Sequence, residues 1–432
     1  MTKDTTTSPP VKKGITNPAL QMMGIKRLAL PSRNWMIFWS IVGAIGGGIA
    51  YDKHQQKQAR MKYTAQVQSL STVPYEVNRL PRKLTIFIAP PPNDFLATSV
   101  LIFLKFIKPV FNAAAVDFDI FTESRQGDIR SSVAEKIRQL RREKLEEEKM
   151  ETNQKVTKHD DAGRTWTKFK NLFSTGSKTD DEVEVTVDRH DLYTPKDVLG
   201  LYKVVEPVTV KRDDEENELF SGGVICIGRG AYKEYLTGIH EGLLGPLEKP
   251  QWLVEEELKE QEAKQQEKKE KEEQNENKQH TEDEKEEEIP VPKAWIKPEE
   301  YGSAEYAPEF QDTFQNGALL RNKKNTPVLF EQPVYVFPVV NIQGFLRIPE
   351  KIYRFFTTRE VAESMGAEAV EIVHNRTRKF ELKRDEFMGS IEEKEWPKKW
   401  VKSGLEKGSE WVQPLIVDPR VVERIRVYQV DV

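Results

Sequence analysis

The passage of this sequence best suited to chemistry is GGVICIGRGAYKEYLTGIHEGLLGP, residues 222–246. The apolar run Val224–Ile227 reads as a buried strand, and Gly228-Arg229-Gly230 turns the chain into a helix expected over Ala231–Leu244. A glycine turn from strand into helix can aim backbone N–H groups at a phosphate, and the helix dipole favours the negative charge. The spacing here is Gly228-x-Gly230, with no third glycine and no Gly-Lys-Ser/Thr, so neither the dinucleotide fingerprint nor the P-loop is met. Cys226 is the single cysteine, which excludes intramolecular disulfides and cysteine-rich zinc or iron–sulfur sites; its expected role is a small core side chain. The six histidines (54, 159, 190, 240, 280 and 374) include no pair at i,i+4, so a helical zinc-hydrolase motif is absent. No catalytic, cofactor-binding or metal-ligating residue is assigned, and no cofactor is expected.

The turn needs a sheet to carry it. Leu84–Ala89 (LTIFIA) ends in three prolines and has the unbroken apolarity of a buried parallel strand. A helix follows over Asp94–Ala115, with Pro109 expected to kink it. Val116, Phe118 and Ile120 alternate with Asp117 and Asp119 as a second strand, and Ile129, Val133, Ile137 and Leu140 mark one face of a second helix. Strand, helix, strand, helix at this spacing implies a right-handed parallel crossover and an α/β domain. Residues 151–182 read as a polar insertion, and Val183–Val187 and Val204–Val210 as further strands. Toward the C-terminus, Val328–Ile342 suggests β structure that Pro333 and Pro338 restrict to edges or bulges. Thr357 and Glu360 form a capping box for a helix over Thr358–Asn375, with Val361, Met365, Ala369, Ile372 and Val373 toward a core. Trp396, Trp400 and Trp411 are expected to pack onto the main domain, and Val421–Val432 to form a last strand after the Asp418-Pro419 turn.

Composition bounds the function. The chain has 432 residues, 66 Lys+Arg against 70 Asp+Glu, 38% hydrophobic and 31% charged residues, too polar for a polytopic membrane protein. The charge is uneven: Val254–Glu288 carries 16 acidic and 7 basic residues. That segment has too few apolar positions to offset its ordering entropy and reads as a solvated linker. The remainder is only mildly basic, without the dense stripe that nucleic acid requires.

Asn34–Tyr51 (NWMIFWSIVGAIGGGIAY) is 18 residues without a charge. As a helix it spans about 27 Å, adequate for a hydrocarbon core of about 30 Å. Trp35, Trp39 and Tyr51 fit interfacial positions. Gly43 and Gly47 form GxxxG, and Gly46 with Ala50 repeats the small-residue spacing, so a second helix could pack there closely. Lys26, Arg27 and Arg33 precede the span while Lys53, Lys57, Arg60 and Lys62 follow it, so charge counting does not orient it. Phe95–Leu104 has 10 uncharged residues before Lys105, too few to cross, and is expected to be a core helix.

With the preceding strand–helix–strand unit, the 222–246 passage is similar to the diacylglycerol/sphingosine lipid-kinase fold, whose members place Gly-Gly-Asp-Gly-Thr at this turn. Glu234 and Gly238 fit the helix that follows in that family, but Arg229 stands where its Asp would be and Ala231 where its Thr would be. That substitution removes the electrostatics phosphoryl transfer uses, so the resemblance implies a catalytically degenerate scaffold. A wider resemblance is carried by NPALQMMGIKRLALPSRNWMIFWSIVGAIGGGIAYDKHQQKQARMKY and the later LPRKLTIFIAPPPND. It is clearest over residues 17–142 and looser through 183–246 and Gln332–Lys379. The chain resembles the large single-span subunit of the fungal mitochondrial inner-membrane carrier translocase.

That resemblance implies an inner-membrane protein with its N-terminus in the matrix and a large C-terminal domain in the intermembrane space. It implies a non-enzymatic scaffold for import and insertion of multi-pass proteins. The partners it implies are a channel-forming subunit, small intermembrane-space chaperone hexamers, an inner-membrane AAA protease and the lipid bilayer, with no nucleic acid. The expected layout is a matrix tail 1–33, a membrane helix 34–51 and a linker 52–81. An α/β domain follows over 82–250, then an acidic linker 251–292 and a C-terminal α+β part 293–432. A membrane-anchored lipid-kinase-like or lipid-binding protein is the competing reading.

Overall fold

Two strands of this chain, β1 (Lys83–Ile88) and β3 (Val224–Ile227), are apolar toward both faces of a sheet, which demands helices on both sides. The computed structural model of the chain describes residues 32–73, 82–149, 222–259, 262, 291–315, 317, 319–322 and 326–430. The other strands are β2 (Asp117–Thr122), β4 (Val334–Phe337), β5 (Thr377–Lys379) and β6 (Arg426–Tyr428). All six form one sheet in the order β2-β1-β3-β4-β6-β5. Every pairing is parallel except that of β5 with β6. The helices that matter below are α1 (Arg33–Val67), α2 (Leu96–Ala113), α3 (128–149), α4 (Arg229–Leu244), α5 (Ile348–Phe356), α6 (Thr358–His374), α7 (Ser390–Glu395) and α8 (Lys398–Glu406).

Alternation along the strands divides the core in two. Leu84, Ile86, Ile88, Ile225 and Ile227 face a layer made by α1, α2 and α6, where Tyr63, Phe103, Phe111, Met365 and Ile372 are buried. Phe87, Val224, Cys226, Val334 and Val336 face the opposite layer, with Val133 and Ile137 of α3 and Tyr232, Tyr235 and Ile239 of α4. Each fully buried side chain of this size is worth about 1.5–3 kcal/mol. The result is a mixed α/β, parallel-rich, three-layer fold. Because α2 leads from β1 outward to β2 while α3 leads back toward β3, the winding reverses between β1 and β3. In sheets of this kind the crevice at such a reversal is the usual ligand position.

Several sequence expectations change. β4 is an interior strand between β3 and β6, not an edge; the two prolines trim it to four residues by standing just outside its ends, and the Pro333 carbonyl still accepts the Val224 N–H at 2.8 Å. α2 contains a π-helical stretch, Phe103–Ile107, directly before the turn holding Pro109, so the proline falls in the first turn of the next segment, where its missing N–H is tolerated. The Thr357 hydroxyl donates to the Tyr353 carbonyl at 3.1 Å rather than capping α6, whose Arg359 N–H instead donates to Asp52 Oδ1 of α1 at 3.0 Å. Val361 is exposed and Ala362 takes the core position. Val421 and Val422 lie in a helical turn, Pro419–Val422, opened by the Asp418 side chain, and the last strand begins only at Arg426. The 52–81 stretch contains the second half of α1, whose Asp52, Gln56, Ala59, Tyr63 and Val67 form one buried stripe. The strands expected at Val183–Val187 and Val204–Val210, the 151–182 insertion and most of the acidic linker lie outside the described residues.

Among the described residues, the helix long and apolar enough to cross a membrane by length and composition is Leu96–Ala113, since the apolar run resumes beyond Lys105 and Lys108. Its second half covers the sheet, with Phe103, Phe106, Ile107, Val110 and Phe111 buried. The Phe95–Leu104 stretch expected as a core helix is core only in part, since Phe95, Leu101 and Leu104 are exposed.

Candidate functional site

The Gly228–Gly230 turn lies at the reversal point of the sheet, at the carboxyl end of β3. Gly228 has φ +95°, a conformation that L side chains rarely adopt, and its N–H donates to the Phe337 carbonyl at 2.9 Å. The first N–H of α4, from Arg229, donates to Glu392 Oε2 of α7 at 2.7 Å. The same oxygen accepts the Val339 N–H at 3.0 Å. A carboxylate from the far end of the chain therefore sits where a phosphate would sit. Burial pushes the Glu392 carboxyl up to about 7, opposed by the two backbone donors. Arg229 is buried and committed as well, with Nε to Glu393 Oε1 at 2.7 Å and Nη1 to the Met388 carbonyl at 2.8 Å. Gly230 is small because the Trp411 ring lies against it; a Cβ there would fall 2.7 Å from the indole. Sequence reasoning placed this turn and missed what fills it, because Glu392 lies 163 residues away from Arg229.

The residues singled out on α4 are structural too. Glu234 is fully buried and takes the Ile129 N–H at 3.0 Å and the Arg130 N–H at 3.4 Å, holding the start of α3, while its other oxygen accepts the Trp411 indole N–H. Burial pushes its carboxyl up to about 7 against those donors. Gly238 and Gly242 are the floor on which α3 lies. Lys233 donates to the Trp411 carbonyl at 2.6 Å and pairs with Glu393 at 2.8 Å. Beneath them, Glu241 accepts from both Arg130 and Arg138, all three only 2% exposed. Nothing in local sequence marks this cluster, since charges on an amphipathic helix ordinarily face water.

His240 offers a direct test of this interior. Its Nδ1 donates to the Leu236 carbonyl at 2.7 Å while Nε2 accepts the Asp418 N–H at 2.8 Å, an arrangement only the neutral ring can make. Burial draws its pKa down to about 4. With the folded value below the unfolded one, its contribution is complete above about pH 6.5 and is lost as pH falls toward 4, some 3 kcal/mol in all. Glu234 and Glu392 act oppositely, losing stability as pH rises through about 7. The difference between wild type and His240→Gln, followed by chemical unfolding at several pH values, should therefore shrink between pH 6.5 and 4. A constant difference would show that the ring is not held neutral.

The other candidate surface is on α1. Trp35, Ile37, Phe38, Trp39, Ile41, Val42 and Ile45 are all exposed. A Cβ added at Gly43, Gly46 or Gly47 would meet nothing within 4 Å, and Ala50 is exposed, so the small-residue face has no partner within the described chain. Further along the same helix, Tyr63 packs on Gly366 of α6, where a Cβ would fall 2.5 Å from the ring.

Among known proteins, the family described as inner membrane protein import complex subunit Tim54 matches residues 17–428. The chain belongs to the Tim54 family. The mitochondrial import inner membrane translocase subunit TIM54 of Candida albicans is 54% identical, covering 97% of this chain and 98% of that protein. The Debaryomyces hansenii protein of the same name is 48% identical over 98% and 92% of the two chains, and that of Saccharomyces cerevisiae 38% over 97% and 95%. As a Tim54-family member this is a mitochondrial inner-membrane import translocase subunit, a component of protein transport. Of the lipid-kinase expectation, the structure shows the mixed α/β architecture with a parallel-rich sheet.

Proposed function

We propose that this Tim54-family chain is a non-enzymatic scaffold of the carrier translocase, anchored once in the inner membrane through residues 34–51. The observation that carries the reading is the continuity of α1. A single 35-residue helix has an exposed, uncharged apolar half and a second half that is a core element of the folded domain. A partner that grips the anchor thus grips the whole domain without an intervening flexible joint. The channel-forming subunit would pack on the Gly43, Gly46, Gly47 and Ala50 face. The aqueous domain would support small chaperone hexamers and the assembly of an inner-membrane AAA protease, serving the insertion of multi-pass proteins. Glu392 at the glycine turn and the engaged Arg229 speak against phosphoryl transfer by a lipid-kinase-like site.

Gly43→Leu together with Gly47→Leu should leave membrane insertion intact, because both changes add apolar surface, and should weaken assembly by forcing helix backbones apart. On native gels the assembled complex should decline while carbonate-resistant protein is unchanged; an unaltered complex would mean that this face meets lipid alone. The proposed orientation puts a C-terminal tag within reach of protease once only the outer membrane is opened, and a tag still protected then would place the domain in the matrix.

A further inference from the structure

An amphipathic helix on a water-soluble surface buries its apolar stripe, and α5, which has no buried residue, leaves its own uncovered. Arg347, Glu350 and Arg354 form one stripe that pairs within itself at 2.8 and 2.9 Å and reaches Glu395 of α7. The opposite stripe, Ile348, Ile352 and Phe355, is exposed, with Tyr353 beside it. The segment leading into α5 is more exposed still, with Phe345 at 84% and Leu346 at 92%. Phe95, at 82%, belongs to the same edge of the sheet: Asn93 Nδ2 donates to Gln343 Oε1 at 2.9 Å, and Gln343 Nε2 to the Pro92 carbonyl at 3.1 Å.

This apolar rim adjoins, through the end of α5, the point where the anchor leaves the folded domain. A Cβ at Gly48 would lie 3.2 Å from the Phe356 ring at the end of α5, and Arg359 stands 5.7 Å over the Tyr51 ring. On the other flank α2 packs with α1 in the same core layer, and its Leu101 and Leu104 are exposed.

We propose that the carboxyl-edge rim of the domain, α5 with Phe345, Leu346, Phe95 and the exposed side of α2, is seated in the bilayer interface around the anchor. The occupant is lipid because the rim is continuous with the anchor: the Gly48–Phe356 contact puts α5 at the level of Tyr51, the interfacial end of the span. There the apolar stripe enters the acyl boundary to a depth of about 5–10 Å, and Arg347, Lys351 and Arg354 lie at headgroup level. The domain would then sit down on the membrane rather than project from it, with α1 held upright from two sides. This inference rests on the reading of residues 34–51 as the anchor.

The native Cys226 is fully buried, so an introduced cysteine can be labelled alone. Leu346→Cys, Ile352→Cys, Ile41→Cys in the anchor and Glu423→Cys at the opposite edge of the sheet would each carry an environment-sensitive fluorophore. The full chain is reconstituted without other proteins into vesicles of zwitterionic and anionic phospholipid, with or without nitroxide-labelled lipid. Labels at 346 and 352 should shift to the blue and lose most of their emission to the lipid nitroxides, while the label at 423 stays aqueous and unquenched. Quenching at 41 without quenching at 346 and 352 overturns this inference and leaves the anchor standing; the rim is then free for a protein partner. A blue shift without lipid quenching means that the rim meets protein, which also overturns it. An unquenched label at 41 removes the anchor and this inference together.

Discussion

Glu241→Ala should cost about 3–5 kcal/mol, the largest loss expected from a single truncation in this protein. The carboxylate lies between Arg130 and Arg138, and its removal leaves two guanidinium groups in the core with fewer counter-charges. Arg130 would retain Glu410 at 2.8 Å and the Pro292 carbonyl. Arg138 would retain a long contact to the half-exposed Glu135 at 3.4 Å and its stacking on the Trp295 ring at 3.5 Å. Burial alone would lower the Arg130 guanidinium, yet Glu410 and Glu241 carry it above its ordinary value, so the charge is retained and must be paired. The comparison that isolates the effect is the fourfold change Glu241→Leu, Arg130→Met, Arg138→Met and Glu410→Gln, since Glu410 is the other partner of Arg130. Replacing the whole cluster by uncharged groups of similar size should recover most of the loss. Urea unfolding of the three proteins reads this directly. If Glu241→Ala costs less than about 1 kcal/mol, the arginines are hydrated and the cluster is not the interior feature described.

The second large effect is expected at Gly238, where α3 crosses α4. A Cβ there would lie 2.8 Å from the Arg130 carbonyl oxygen and 2.9 Å from Val133 Cβ; at Gly242 it would lie 2.7 Å from Ile137 Cβ. Glycine inside a helix gives up roughly 1 kcal/mol relative to alanine, so Gly238→Ala would stabilise an open site. Here the contact is with backbone, which cannot swing aside, and the overpacking penalty of about 1–3 kcal/mol exceeds the propensity gain. Gly238→Leu should be worse, because parting the helices also withdraws Glu234 from the N-terminus of α3. Gly302→Ala, with open space around its Cβ position, serves as the neutral comparison. Thermal unfolding should place Gly238→Ala below wild type, and a melting point at or above it would refute the close crossing.

Local pattern in the sequence was enough for the elements and their class. The apolar runs Leu84–Ala89 and Val224–Ile227 are strands within a residue or so, because a parallel strand buried on both faces must be apolar at every position. The helix 128–149 follows from Ile129, Val133 and Ile137, whose spacing leaves one face to bury. The exclusion of cysteine-rich and helical-histidine metal sites likewise needs only counting and spacing. Tertiary structure decided the rest. That β4 is interior despite its prolines depends on which strands flank it, a long-range pairing that no local rule encodes. That Asp52 and Glu392 hold the N-termini of α6 and α4 depends on side chains brought from distant parts of the chain to backbone groups that local sequence leaves unpaired. The same glycine turn could present the Arg229 N–H to a phosphate or to a neighbour's carboxyl group, since either can accept it; the packing of α7 onto the sheet reversal selects the carboxyl.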